Sequence, residues 1–535
     1  MMNNSYWNPD NEDFKISCNG KIYVDKSMLI DYTNSILHTP ERFICVSRPR
    51  RFGKSTDANM LVAYYSKGCD SKALFDHLKI AHRDSYKKHL NKHHVIYLNM
   101  QSFVSNQENI QEMIKFLTSQ VILELKTEIS DVQFQDETKL RLCLEDIYRY
   151  KGEKFVFIID EWDCIFREFP NDLNSQKVYL DFLRDLLKDK KYVSLAYMTG
   201  ILPIKKYGTH SALNMFKEIS MINPTPMEKF MGFTKEEVKK LCEEYQIDFD
   251  EMKAWYDGYH FGNMEVYCPW DVMNYVRDLQ NDPKAAPAGY WKNTSDNAII
   301  RSFIDYAGNS ITKKLETLLS GQAIVQKVEE NLTYDYLHAS EENLWSVLYL
   351  IAYLTKAVSD SAAESSDEGK SALVIPNAES REIFETTIKT WFDDNVRLWN
   401  WKALFHAVWT GDCDTAAAEM NRLLRKTISY HDYKEDFYHA FFAGIFAGAG
   451  YVVESNKEHG EGRNDVIVYA PSEGQAAVFE IKYSKDVESL SKDCNAALRQ
   501  MDTRMYAKEL EDDYDQVLCY GISFFKKWCV IRKKS

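Results

Sequence analysis

The sequence of 535 residues contains no C-x-x-C pair and no histidine cluster at zinc-finger spacing, and its eleven cysteines are scattered and odd in number. This excludes a closed disulfide framework and the common structural zinc sites, so the cysteines read as reduced core residues of a cytosolic chain. No apolar run approaches the ~20 residues of a membrane span. Met1–Asp13 is polar, rich in Asn and acid, and lacks the basic-then-apolar layout of a signal peptide. The expectation is a cytoplasmic protein without membrane contact. Positive charge is not in excess either: the formal net charge is -14. Any contact with nucleic acid therefore needs a local basic patch. No long-period repeat is visible.

What is present is an ordinary globular composition, 45% hydrophobic and 27% charged, over a length that suits about three domains at ~150 residues each. Its organising stretch is Arg48-Pro49-Arg50-Arg51-Phe52-Gly53-Lys54-Ser55-Thr56, which follows the apolar run Phe43–Ser47 and precedes the helical-looking Asn59–Tyr65. A buried strand, a glycine turn, a lysine, a hydroxyl pair and a helix start make a phosphate cradle. Backbone N–H groups bind phosphate oxygens, Lys54 reaches the outer phosphates and Ser55 ligates Mg²⁺. The pattern G-x-x-x-x-G-K-[ST] would put its first glycine at Arg48, so the usual turn entry is missing and Pro49 stiffens the remainder.

The second half of the nucleotide argument is Phe155-Val156-Phe157-Ile158-Ile159-Asp160-Glu161. Five successive apolar residues suit a strand buried on both faces of a parallel sheet, and it delivers two carboxylates at its C-terminal end. Asp160 there is expected to hold Mg²⁺ and Glu161 to polarise the attacking water. His94–Asn99 reads as another strand, Asn109–Leu125 as a periodic helix, and Val193–Met198 as a strand ending at Thr199, placed to sense the γ-phosphate.

R-P-R-R-F-G-K-S, F-I-I-D-E-W-D, the M-T-G-I-L strand end, Trp255–Tyr259 with Phe261-Gly262, Val266-Tyr267 before Pro269-Trp270, and Tyr290-Trp291 together resemble the AAA-ATPase-like proteins. These are a bacterial group related to the signal-transduction and archaeal-type P-loop ATPases. The resemblance spans roughly Ile22 to Asn297. It implies that the Arg-rich segment is itself the P-loop, with Arg50, Arg51, Phe52, Gly53, Lys54, Ser55 and Thr56 around the nucleotide.

Thr234 is an N-cap candidate for a helix over Phe233–Leu241 that opens a helical lid. The aromatic block Trp255–Gly262 reads as anchoring that lid to the core. From Ile299 to Leu424 the chain reads as mostly helical. Leu348–Ala357 and Ala372–Ile375 are expected as strands flanking the polar, low-complexity Ser359–Ser371.

After Ile428 the chain again alternates strands and turns. If Pro471–Gly474 closes a hairpin, Ala470 pairs with Gln475, and counting back sets Asp465 opposite Glu480 with Lys482 on the same face. Two carboxylates at ~5 Å repel unless a cation lies between them, and Mg²⁺ suits oxygen ligands. Lysine can then help a metal-bound water attack a phosphodiester. The G-x-G-R-x-D … F-E-I-K block resembles the PD-(D/E)xK nuclease superfamily, with Asn464 in place of the proline. The resemblance implies metal on Asp465 and Glu480, catalysis by Lys482, Glu454 or Glu458 as the upstream acid, and Gln500 with Tyr506 on the following helix. From Tyr430 onward, 14 Lys and Arg face 18 Asp and Glu, so no broad phosphate-binding surface is advertised.

The expected architecture is α/β: a parallel-sheet P-loop NTPase domain (1–230), a helical lid (231–300), a mostly helical connector (301–430) and a small α/β PD-(D/E)xK-like domain (431–535). The expected ligands are ATP and Mg²⁺, with nucleic acid at the C-terminal domain. Two further classes stay open: a nucleotide-gated switch whose C-terminal domain binds DNA or a protein without catalysis, and a scaffold around an unhydrolysed nucleotide.

Overall fold

The computed structural model describes residues 5–105, 107, 109–169, 172–201, 203, 213–291, 309–329, 332, 340–357, 370–387, 402–427, 438, 442–443, 445–447, 449–455, 458–459, 462–463, 466–504, 510 and 513–534. They form two compact units, Met1–Asn297 with Gly321–Ile383, and Ala298–Ser320 with Phe384–Ser535. The stretch read as a 301–430 connector is thus shared between the two.

The first unit is built on a five-stranded sheet of β1 (Phe43–Ser47), β2 (His94–Asn99), β3 (Phe155–Asp160), β4 (Val193–Gly200) and β5 (Lys217–Ile219), in the order β2-β3-β4-β1-β5. Every pairing is parallel. β1, β3 and β4 are buried at every residue, as a strand covered on both faces must be, and this is why they read as apolar runs without alternation. The register sets Asn99 beside Asp160 and Ser47 beside Gly200. The C-terminal strand ends therefore share one sheet edge, where ligands bind in open α/β sheets. β4 separates the strand entering the glycine turn from the strand ending in Asp160.

The segment expected as a helical lid also contains a small antiparallel sheet, β6 (Phe233–Thr234), β7 (Tyr259–Phe261) and β8 (Met264–Tyr267), in the order β6-β8-β7. The helix Lys235–Tyr245 starts at a full capping box between Thr234 and Glu237. Leu348–Ala357 is corrected from a strand. The helix Glu341–Leu350 runs into it, and only β10 (Thr355–Lys356) is extended. It joins β9 (Ile324–Lys327) and β11 (Lys370–Val374) in the order β10-β11-β9. Apolar residues on every side of a buried helix, such as Leu344 and Leu348 on one face and Trp345 and Tyr349 on another, mimic a buried strand in a short window. Residues 358–369 lie outside those described.

In the second unit β12 (Val452–Ser455), β15 (Val466–Ala470), β16 (Gln475–Tyr483), β17 (Gln516–Phe525) and β18 (Trp528–Lys533) form a mixed sheet in that order. The short pair β13 (Glu458–His459) and β14 (Gly462–Arg463) stands apart from it. One sheet face packs on the helices Lys402–Thr410 and Cys413–Thr427 through residues such as Phe479, Tyr520 and Leu423. The other face, through Ile467 and Val478, packs against Met501 of the helix Leu490–Arg504. Gly521 makes that second contact possible: a Cβ there would lie 2.6 Å from the Cys494 carbonyl oxygen and 2.9 Å from Leu498 Cγ.

Candidate functional site

At the glycine turn, Gly53 has a φ of 91° and directly precedes the helix Lys54–Tyr65. A side chain there would meet open space, so the requirement for glycine is one of backbone conformation rather than crowding. Arg48, which stands where the general pattern has glycine, is fully buried. Its Nη1 donates to the carbonyls of Ser47 and Ile219, each at 3.0 Å, and its guanidinium lies 4.5 Å from the Phe261 ring centroid. A buried cross-link from β1 to β5 and β7 thus takes the place of a flexible turn entry. Phe52, expected beside the nucleotide, is instead a buried packing residue. Its ring is 5.3 Å from both Tyr259 and Phe261, and its carbonyl accepts from the Gly232 N–H at 3.1 Å. The aromatic block does anchor the segment to the turn.

Lys54 donates to the carbonyl oxygens of Arg48 and Pro49, at 3.0 and 2.8 Å. Burial lowers its proton affinity, while Glu161, Asp160 and Asp163 favour the charged form. The ammonium therefore occupies the mouth of its own turn, facing three acids. A cavity of about 550 Å³ opens over it. Arg50, Arg51, Gly53, Lys54, Ser55 and Thr56 line one side, so the turn residues named from sequence are gathered with the exception of Phe52. Glu161 joins them from the end of β3, with Gln101 and Arg167 beside it.

Asp160 is fully buried. One carboxylate oxygen accepts from Thr199 Oγ1, and the other, Oδ2, has no hydrogen-bond partner among the described residues. Burial raises its proton affinity, with the Thr199 and Ser55 hydroxyls acting against that rise. A buried carboxylate oxygen in reach of a helix-start hydroxyl fits a hard cation such as Mg²⁺. Thr199 is itself fully buried, and with its hydroxyl given to Asp160 its influence on a ligand runs through that carboxylate. Glu161 adopts a φ of 54°, and its Oε2 lies 2.6 Å from Arg167 Nη2. Burial pulls its proton affinity up, but Lys54 and then Arg167 overcome this and keep it below the usual range. Arg167 also reaches Asp163 at 3.3 Å and Gln101 at 3.2 Å.

Sequence reading missed Arg167, Gln101 and the cavity wall of Pro269, Trp270 and Met273. Arg167 had a faint signal, six residues beyond Glu161 across a strand-to-helix turn. Gln101 and the wall residues come from elsewhere in the chain.

In the second unit the observed register places Ala470 opposite Gln475 and Val466 opposite Phe479, as the turn length demanded. Asp465 and Tyr506 lie outside the described residues. Glu480 is fully buried in mid-strand, and Lys482 Nζ is 3.3 Å from its Oε1. The two side chains share a sheet face, as period-two alternation requires. Pairing through Ile467 and Val478 brings Glu454 to that face as well. Glu454 accepts from Tyr469 Oη at 2.8 Å. Gln500 lies on the helix Leu490–Arg504 that covers this face. A buried carboxylate beside a half-buried ammonium fits the metal-and-lysine arrangement. Among the described residues, however, no group of three or more His, Cys, Asp or Glu gathers into a complete metal cage. No described helix is long and apolar enough to cross a membrane.

Residues 12–209 match the AAA-ATPase-like family, described as a predicted AAA-ATPase, and residues 433–534 match the PD-(D/E)XK nuclease superfamily. A protein of Azotobacter chroococcum mcd 1, described as "Uncharacterized protein in vnfD 5'region", is 23% identical over 291 residues, covering 53% of each chain. The chain thus spans about half the length of that curated relative. Among solved structures, the Aeropyrum pernix ORC2 protein is 8% identical with a TM-score of 0.30. Cdc6p from Pyrobaculum aerophilum is 9% identical with a TM-score of 0.25. Each comparison covers 73% of this chain and 100% of the other, at scores where whole-chain overlap is slight.

Proposed function

The chain joins an AAA-ATPase-like domain to a PD-(D/E)XK superfamily domain, and from that premise we propose that it binds and hydrolyses Mg-ATP and couples the nucleotide state to metal-dependent cleavage of nucleic acid. The observation that carries the first part is the meeting, in one cavity, of Lys54 and Ser55 from the glycine turn with Glu161 from a strand end about a hundred residues later. On binding, the triphosphate takes Lys54 from the carbonyls of Arg48 and Pro49, exchanging two neutral acceptors for anionic ones. Ser55 and Asp160 would hold Mg²⁺, which would supply neutralisation of charge on the outer phosphates. Glu161 orients the attacking water, and Arg167 fixes the Glu161 carboxylate.

For the C-terminal unit, support comes from the Glu480–Lys482 contact on a buried strand together with the superfamily match. In this reading Asp465 and Glu480 bind the metal and Lys482 assists the water. Glu480, in a low-dielectric surrounding, has the Lys482 ammonium 3.3 Å away as its cationic neighbour.

The test is cleavage of plasmid and single-stranded substrates by the full chain with Mg²⁺ or Mn²⁺, with and without ATP, beside Lys54→Ala and Asp465→Ala. Loss of ATP binding in the first variant, and of cleavage with retained ATP binding in the second, is expected. ATP turnover without cleavage of any substrate would replace the nuclease with a nucleotide-gated binding domain. Undiminished ATP affinity in Lys54→Ala would remove the nucleotide reading altogether.

A further inference from the structure

The cavity over Lys54 has two chemically distinct walls. One carries the charges and hydroxyls of the glycine turn and of Glu161 and Arg167. The other is the start of the helix Pro269–Asn281, where Pro269, Trp270 and Met273 face the cavity. Residues three apart in a helix share a face, so Trp270 and Met273 form a continuous apolar surface. We propose that this surface is the nucleobase subsite, with the Trp270 indole as the platform on which the base of a nucleoside triphosphate stacks. The inference rests on the nucleotide reading of the same cavity.

Charge sets the ligand's direction. A helix N-terminus ordinarily attracts phosphate, but this one is already served by acid. Asp271 lies in its first turn, fully buried. Pro269 at the helix start removes one backbone donor. The triphosphate therefore belongs at the Lys54 end, and the flat, neutral part of the ligand meets Trp270. The indole is held for this role: its Nε1 donates to the Tyr290 carbonyl at 3.4 Å, and the Arg51 guanidinium lies 4.2 Å from its ring centroid. Arg51 belongs to the phosphate turn, so that stack makes the base wall and the phosphate cradle one assembly. Because every base offers a π-face, a stacking subsite discriminates weakly, and ATP and GTP should bind within about tenfold of each other.

The experiment compares ATP, GTP and inorganic tripolyphosphate, which lacks the base, by calorimetric titration of the full chain. Trp270→Ala should weaken ATP about 5- to 100-fold, with a much smaller loss for tripolyphosphate, and Trp270→Phe should recover most of the ATP affinity. Undiminished ATP affinity in Trp270→Ala, or equal losses for ATP and tripolyphosphate, overturns the subsite. Lys54→Ala separates the two claims: it should weaken both ligands, and if it weakens neither, the nucleotide reading fails and the subsite with it.

Discussion

Arg167 Nη2 lies 2.6 Å from Glu161 Oε2, across a six-residue turn from the end of β3 into the helix Cys164–Glu168. The guanidinium is shared with Asp163 and Gln101, so a single side chain fixes the carboxylate proposed to orient water. Arg167→Ala should lower kcat by about 10- to 100-fold through misplacement of that carboxylate, with a much smaller change in KM. It should also cost about 1–3 kcal/mol of stability, since the fully buried Asp163 loses a charged partner. Steady-state kinetics and urea unfolding check both. An unchanged kcat would show that Glu161 needs no such support.

The Thr199 hydroxyl donates to Asp160 and opposes the rise in proton affinity that burial imposes. Thr199→Val removes that support, so protons compete better with Mg²⁺ for Asp160. The Mg²⁺ concentration for half-maximal ATP turnover should rise, and by more at about pH 6 than at about pH 8. An equal rise at both pH values would mean that the hydroxyl acts by geometry rather than by charge.

Asp271 and Glu379 are buried against one another, and desolvation followed by the charge of Asp271 pushes Glu379 far above the carboxylate range. The native state then holds a proton that the unfolded chain releases. The stability this gives is full below the ordinary glutamate range and is lost as pH rises above it. Glu379→Gln keeps the acceptor for the Trp291 N–H, which bonds Glu379 Oε1 at 2.6 Å, but cannot ionise. Between about pH 5 and about pH 9 the wild-type urea midpoint should fall relative to the variant. Parallel curves would place no buried proton at this pair.

At Gly521 the helix Leu490–Arg504 comes close against the C-terminal sheet. Gly521→Ala forces backbone and side chain apart against the Cys494 carbonyl and Leu498, at a cost of about 1–3 kcal/mol. Limited proteolysis of the C-terminal unit should accelerate while the ATP affinity of the full chain stays as it was. An unchanged cleavage rate would show that the helix Leu490–Arg504 shifts without penalty.

Much of this protein was legible in the chain because the physics involved is local. β1 and β3 are buried on both faces, so their apolar runs announce themselves without partners. Gly53 needs a left-handed backbone and is followed at once by its lysine. A turn of four residues sets Ala470 against Gln475 and leaves the ladder a single register. The strand misread at Leu348 failed for the same reason in reverse, since a helix buried all round has no periodicity to show.

Tertiary structure alone decided which side chains those elements meet. Arg48 and Phe52 lie in the phosphate motif, yet their roles depend on Ile219, Tyr259 and Phe261, which come from distant segments. Trp270 and Gln101 enter the cavity only because the sheet order and the β6–β8 segment carry them there. The sequence by itself determined the strands, the turn and the acids, since backbone preference and burial act over a few neighbouring residues. Contacts across more than a hundred residues depend on packing, which no short window of sequence contains.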